Sequence, residues 1–321
     1  MWYNIENATE SLKSRKSIDF GKYKFIIKNI RGILVEEQII QRFHDAYIKA
    51  DSKELDALWE NSAPKSLVKF FPAKYTEQGV NYFCEGISKK TLWLSSPRLF
   101  NDPFDGFINY DYTSEIQAKI QTIFQPLLEE CTPKKPGYDA IFQKKLSECY
   151  LQYNKEMNAS NRRFESQMFI ACFSEKESIY SSRMWGHYAN NHAGVCAEYD
   201  WDTVVNASPF GCIPIKYTDT YEYFSNPSNK AEETIDFFKF FTKAKEWEHE
   251  KEWRVAQVSN AGGDGFCVPF ELPKKVYLGC NSAPKLIADV LGICLSHNIE
   301  VYKMKLQPNS YCLTYEKIEI K

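Results

Sequence analysis

Apolar positions recur at helical spacing over residues 34–60, where Leu34, Ile39, Ile40, Phe43, Tyr47, Leu55, Leu58 and Trp59 are separated by charged residues. This pattern predicts helix, with Asp51-Ser52 as a cap opening a second helix and Pro64 as its stop. Tyr23 to Ile30 is short enough to be strand or helix. Val68 to Phe71 and Thr91 to Ser95 read as strands, and residues 77–88 between them as a short helix packed through Val80, Phe83 and Ile87. Pro97 to Gly106 reads as a loop. Residues 113–165 read as a helical insertion, interrupted by the turn-forming stretch Cys131 to Gly137. Met168 to Ser174, Gly194 to Asp200, Ile213 to Tyr217, Trp253 to Val258, Val276 to Gly279, Ile299 to Leu306 and Cys312 to Ile320 have strand length and apolarity. Helices are expected over 178–191, over 230–247 (Ile235, Phe238, Phe241 and Trp247 near one face) and over Ala283 to His297. Strands far outnumber direct strand–helix–strand crossovers. The expected fold class is therefore α+β, with a mixed, mostly antiparallel core over residues 66–321 and a helical N-terminal extension over 1–65.

Composition adds little to this picture. The chain has 321 residues, 44% of them hydrophobic and 26% charged, which is ordinary for a globular protein. A net charge of −2 provides no overall basic field for nucleic acid. Aromatic content is high at 15%, which suits both packing and flat-ligand pockets. The ten cysteines include no C-x-x-C pair and read as reduced thiols. No basic segment followed by an apolar run opens the chain, and no stretch reaches the ~18 apolar residues of a membrane span. A cytoplasmic protein is expected.

Three polar and aromatic blocks are denser than core elements need. The first, Asn101-Asp102-Pro103-Phe104-Asp105-Gly106, has turn chemistry. It reads either as a tight connection or as a pocket wall to which Asn101 or Asp102 gives polar contacts. The second runs from Met184 to Asp200. Trp185, Tyr188 and His192 share a face if the segment is helical, as core aromatics or as ligand contacts. His187, His192 and Cys196 lack the i, i+4 spacing of a helical zinc pair, and no metal is expected. In the third, Trp247 to Val255, acids run into a strand. Glu250 and Glu252 then stand at a strand mouth and point the same way at period two. A carboxylate there can stabilise an oxocarbenium-like state; alternatively, Glu252 pairs with Arg254 or Lys251 and fixes the strand.

In order, Ser96-Pro97, Phe100 to Asp105, Cys172-Phe173-Ser174, Met184-Trp185, His187-Tyr188, Gly194-Val195 and Glu250 to Arg254 resemble the bacterial domain-of-unknown-function 2971 family over roughly residues 66–321. The early strand and helix, the mid-chain Tyr and the late Glu-x-Glu are more distantly similar to the ADP-ribosyltransferase arrangement. That resemblance implies NAD as substrate and ADP-ribose transfer to a macromolecular acceptor, protein or nucleic acid, as in a toxin or phage-defence effector. It implies catalytic roles for Glu252, Tyr188 and Glu250. Lys74 or Tyr75 would hold the dinucleotide, and Asn101, Asp102, Trp185 and His187 would complete the cofactor-binding set. Two other readings stay open. One is a metal-dependent nuclease using Asp102, Asp105 and the Glu248 to Glu252 acids. The other is a non-enzymatic ligand- or protein-binding module of a defence system.

Overall fold

The computed structural model describes residues 37–49, 51–106, 165–219, 239–260 and 262–319, with scattered positions between 144 and 162. The expected element at Tyr23 to Ile30 and nearly all of the insertion at 113–165 lie outside the described residues.

Helices α1 (Glu37–Lys49) and α2 (Ser52–Ser62) form where the periodicity placed them, and the Asp51 side chain caps α2 by accepting from the Glu54 N–H. Strand β1 (Ser66–Phe71) follows. Helix α3 (Tyr82–Lys89) starts later than expected, because Asn81 caps it through the N–H groups of Phe83 and Cys84. Val80 therefore falls outside the helix and is exposed, whereas Phe83 and Ile87 are buried. Strands β2 (Thr91–Ser95) and β3 (Met168–Glu175) come next, then helix α4 (Ser182–Tyr188) and strand β4 (Val195–Asp200). A short helix, α5 (Trp201–Val205), leads to strands β5 (Cys212–Pro214) and β6 (Lys216–Thr218), two pieces of the single strand expected at 213–217.

The helix expected over 230–247 is not formed in its described part. Lys239–Phe241 is a 3-10 turn, Thr242–Ala244 is strand β7, and Lys245–Glu250 is a second 3-10 segment. Phe240 and Phe241 are both fully buried, a consecutive pair that one helix face would not bury together. The chain closes with β8 (Glu252–Val258), β9 (Gly265–Pro269), β10 (Lys275–Leu278), helix α6 (Pro284–Ser296), β11 (Glu300–Leu306) and β12 (Leu313–Lys317).

The architecture is mixed α+β, built on a ten-stranded sheet. Eight strands run in the order β12, β11, β10, β4, β1, β3, β2, β9, and β8 joins them through β3 and carries β5. The pairings within it are antiparallel except β10 with β11, which α6 connects; β6 and β7 form a separate parallel pair. One core layer holds Phe43, Leu55, Leu58 and Trp59 of the N-terminal helices together with Leu67, Phe173, Val255 and Val290. Packing is close where β4 begins: a Cβ on Gly194 would stand 2.2 Å from the Phe71 carbonyl oxygen, which only glycine permits.

One feature of the sheet positions the site. β8 pairs with the whole of one edge of β3, from Met168↔Val258 to Ser174↔Glu252. The other edge is divided. β1 takes its end at Leu67↔Glu175 and Val68↔Ser174, and β2 takes it at Ser95↔Ile170. Between these contacts the neighbouring strands part, and residues 171–173 of β3 face a gap.

A buried charged cavity where the strands part

A cavity of about 110 Å³ opens at this parting. Its walls come from β1 (Val68, Lys69, Phe70), the loop after β2 (Phe100, Asn101, Asp105), β3 (Cys172, Ser174), α4 (Met184, Tyr188) and the segment from Lys243 to Arg254. All three polar blocks of the sequence reach it.

Arg254 is its keystone. The side chain is fully buried on β8, opposite Cys172. Nη1 and Nη2 donate to the two Asp105 carboxylate oxygens at 2.7 and 2.6 Å, and Nη1 also donates to the Phe240 carbonyl at 2.7 Å. Nε donates to Glu252 Oε1 at 2.7 Å and Nη2 to Oε2 at 3.1 Å. All five guanidinium N–H groups therefore have acceptors. The Phe100 ring covers the guanidinium at 5.2 Å.

Lys243 is the second buried cation. Its Nζ lies 2.6 Å from Glu250, 3.3 Å from Glu252 and 3.7 Å from Asp105. The Trp247 ring centroid is 4.8 Å away. This lysine bridges the two glutamates, which stand on different local structures. Glu252 begins β8, whereas Glu250 ends the 3-10 segment, with Lys251 in the left-handed conformation between them (φ 46°). The expected convergence of the two carboxylates is present, produced by this kink in place of strand alternation.

The two glutamates are electrostatically unlike. Burial works to raise the Glu252 pKa, but Arg254 and Lys243 outweigh it and hold the carboxyl down at about 2. Its backbone N–H donates to the Tyr217 hydroxyl at 2.9 Å. Glu250 is pushed above the usual carboxylate range by burial and by the charge of Glu252, against the pull of Lys243 and Tyr188. The Tyr188 hydroxyl donates to Glu250 Oε1 at 2.6 Å, and burial beside that carboxylate raises the Tyr188 pKa. Glu252 is thus a fixed anion saturated by two cations, while Glu250 is the carboxylate closer to a proton-transfer range.

The remaining sequence candidates separate clearly. Tyr188, Glu250, Glu252 and Asn101 line the cavity. Asp102 does not; it is buried and accepts from the Phe104 N–H at 2.9 Å, which is turn chemistry, while Asp105 three residues later reaches the site. Trp185 is a core residue, its indole N–H donating to the Ile179 carbonyl and its ring edge-on to Phe70. His187 is exposed beside Trp247, outside the lining. Lys74 is exposed, and Tyr75 bridges to Asn81 and lies under the Lys285 ammonium, away from the cavity. The expected face shared by Trp185, Tyr188 and His192 is not a helix face. α4 ends at Tyr188, and Asn190, Asn191 and His192 have positive φ, so His192 folds back to stack on Trp185.

Sequence reasoning missed Lys243 and the role of Lys69, and Cys172 stood out only as part of the motif Cys172-Phe173-Ser174. Arg254 was visible only as a partner for Glu252. Lys243 had a signal, since it lies one helical turn before Trp247; the helix expected there concealed it.

Residues 184–255 match the model of a family described as Protein of unknown function (DUF2971), so the resemblance carried by Met184-Trp185, Gly194-Val195 and Glu250 to Arg254 is real. No curated protein and no solved structure matches the chain. Among the described residues, no helix is long and apolar enough to cross a membrane.

Proposed function

We propose that the chain cleaves the nicotinamide–ribose bond of NAD, as an ADP-ribosyltransferase or NAD glycohydrolase, with Glu250 as the acting carboxylate. The observation that carries this reading is the Tyr188–Glu250 hydrogen bond beside an ionised Glu252, inside a cavity that admits only a compact group. In this reading the nicotinamide end enters and the rest of the dinucleotide stays outside. The C–N bond breaks with its electron pair leaving on the nicotinamide nitrogen. Positive charge develops on the ribose and is stabilised by the buried carboxylates. An acceptor hydroxyl or water then adds to the anomeric carbon and passes its proton to Glu250, whose raised pKa suits that task. Glu252, saturated by Arg254 and Lys243, supplies fixed negative charge and holds the framework. An effector role in defence, acting on a macromolecular acceptor, is part of the same proposal.

The pairing pattern disfavours a metal-dependent nuclease. Asp105, Glu250 and Glu252 are each already bonded to Arg254 or Lys243, and a divalent ion would have to displace buried cations. A binding module fits the same cavity without turnover. Chromatographic measurement of nicotinamide release from NAD distinguishes the readings. Wild type is expected to release nicotinamide with or without added extract, and folded Glu250→Gln to lose turnover by ~10²-fold or more. Absence of release from wild type under both conditions would leave the binding reading.

A further inference from the structure

We propose that Lys69 is the cation of an oxyanion subsite, which takes a phosphate or carboxylate group of the ligand at the parting of β1 and β3. The inference concerns the same cavity but does not depend on NAD being the ligand.

The argument begins with the sheet. Beyond Val68↔Ser174, β1 leaves β3, and the Cys172 carbonyl has no strand partner on that edge. Lys69 reaches into the gap and its Nζ donates to this carbonyl at 3.1 Å. An ammonium has three donors, and among the described residues this is the one acceptor it meets.

Charge pairing is unequal among the cavity's three cations. Arg254 and Lys243 share Asp105, Glu250 and Glu252 between them. No carboxylate among the described residues forms an ion pair with Lys69. Its other neighbours are the faces of Phe71 and Phe173, with centroids 5.7 and 5.5 Å away. Ring faces offset only a small part of the cost of desolvating an ammonium. Burial accordingly lowers the Lys69 pKa, with Cys172 and Glu252 opposing it more weakly. Among the described residues the three nearby carboxylates bond directly to the other two cations, which leaves the Lys69 ammonium without a directly bonded anion and open to an entering one. Lys69 stands on the cavity wall, where an entering group can reach it. Ser174 lies on the same wall, two residues from Cys172 along β3, and offers a hydroxyl donor.

A lysine that only props an open carbonyl would be indifferent to anions. Equilibrium dialysis with radiolabelled inorganic phosphate, and separately with acetate, at constant ionic strength tests the difference. Wild type is expected to bind one equivalent. Lys69→Met should weaken binding by about tenfold or more, while Lys69→Arg, which keeps the charge, should stay within a few-fold. Preference for phosphate or for acetate identifies the source of the oxyanion. If Lys69→Met does not fold, acylation mapped by mass spectrometry serves in its place. Phosphate or acetate should protect Lys69 in the wild type and leave exposed Lys89 unprotected. No bound equivalent in wild type, equal binding by folded Lys69→Met, or equal acylation of Lys69 with and without anion would overturn the proposal. Nicotinamide release, measured on the same preparations, reports separately on the NAD reading.

Discussion

Replacing Asp105 with Asn tests the framework of the site. The substitution preserves shape and removes one charge from the Arg254 pair, whose two bonds are 2.7 and 2.6 Å long. One Asn oxygen still accepts from Arg254, but its NH₂ now opposes a guanidinium N–H. Lys243, 3.7 Å from the same carboxylate, also loses a counter-charge. Two unit charges ~4 Å apart at an effective dielectric of ~20 attract by about 4 kcal/mol. Leaving one member of a buried pair uncompensated costs about 3–5 kcal/mol. Because Glu252 and the Phe240 carbonyl still hold Arg254, the lower end is expected, about 3 kcal/mol. Urea unfolding followed by tryptophan fluorescence provides the assay, with Trp253 buried on the opposite face of β8 and 5.4 Å from Trp201. The midpoint should fall with an unchanged slope. A double-mutant cycle with Arg254→Met should give a coupling of about 2 kcal/mol or more. A loss below about 1 kcal/mol, or a coupling near zero, would refute the reasoning that this pair ties the 101–106 loop to β8.

Other expectations concern protons and the acting carboxylate. Tyr188→Phe removes the hydroxyl from Glu250, so the Glu250 pKa should rise further and the pH optimum of NAD turnover should move up, with a stability loss of about 1–2 kcal/mol by urea titration. His44 is fully buried against the Pro214 carbonyl, and burial lowers its pKa from 6.5 to about 4. The unfolded chain therefore binds that proton first as pH falls from about 6.5 to 4. Stability should decline by about 3 kcal/mol across that window, and the decline should shrink in His44→Asn. Glu252 acts lower. Its carboxyl is held at about 2, so its contribution is complete above about 4.5 and is lost as pH falls towards 2; acid unfolding of Glu252→Gln should be shallower there.

Elements set by local chemistry were legible in the sequence. The Asp51 cap, strands Thr91–Ser95 and Met168–Glu175, and helix Pro284–Ser296 follow from capping and periodicity alone. Residues 239–250 were not, because the spacing of Phe238, Phe241 and Trp247 imitates a helix, whereas tertiary packing buries Phe240 and Phe241 together. Of the site, Tyr188 and the two glutamates were visible as unusual polar tokens near apolar elements. Their ranking was not, since it depends on Arg254 and Lys243 saturating Glu252. Asp105 was harder to see than Asp102, because both obey turn chemistry and only the folded loop shows which one faces β8. Lys69 carries no sequence signal: its position matters only because β1 leaves β3 at that point, a long-range property of the sheet.

The most direct measurement is the crystal structure of Glu250→Gln with NAD bound, the variant being chosen so that the ligand survives. The expected density has the nicotinamide ring inside the cavity between Tyr188 and Phe100, with the anomeric carbon facing residue 250. A cavity that stays empty at saturating NAD, or NAD bound elsewhere on the chain, would contradict the assignment of Glu250 as the acting carboxylate and of this cavity as the site of cleavage.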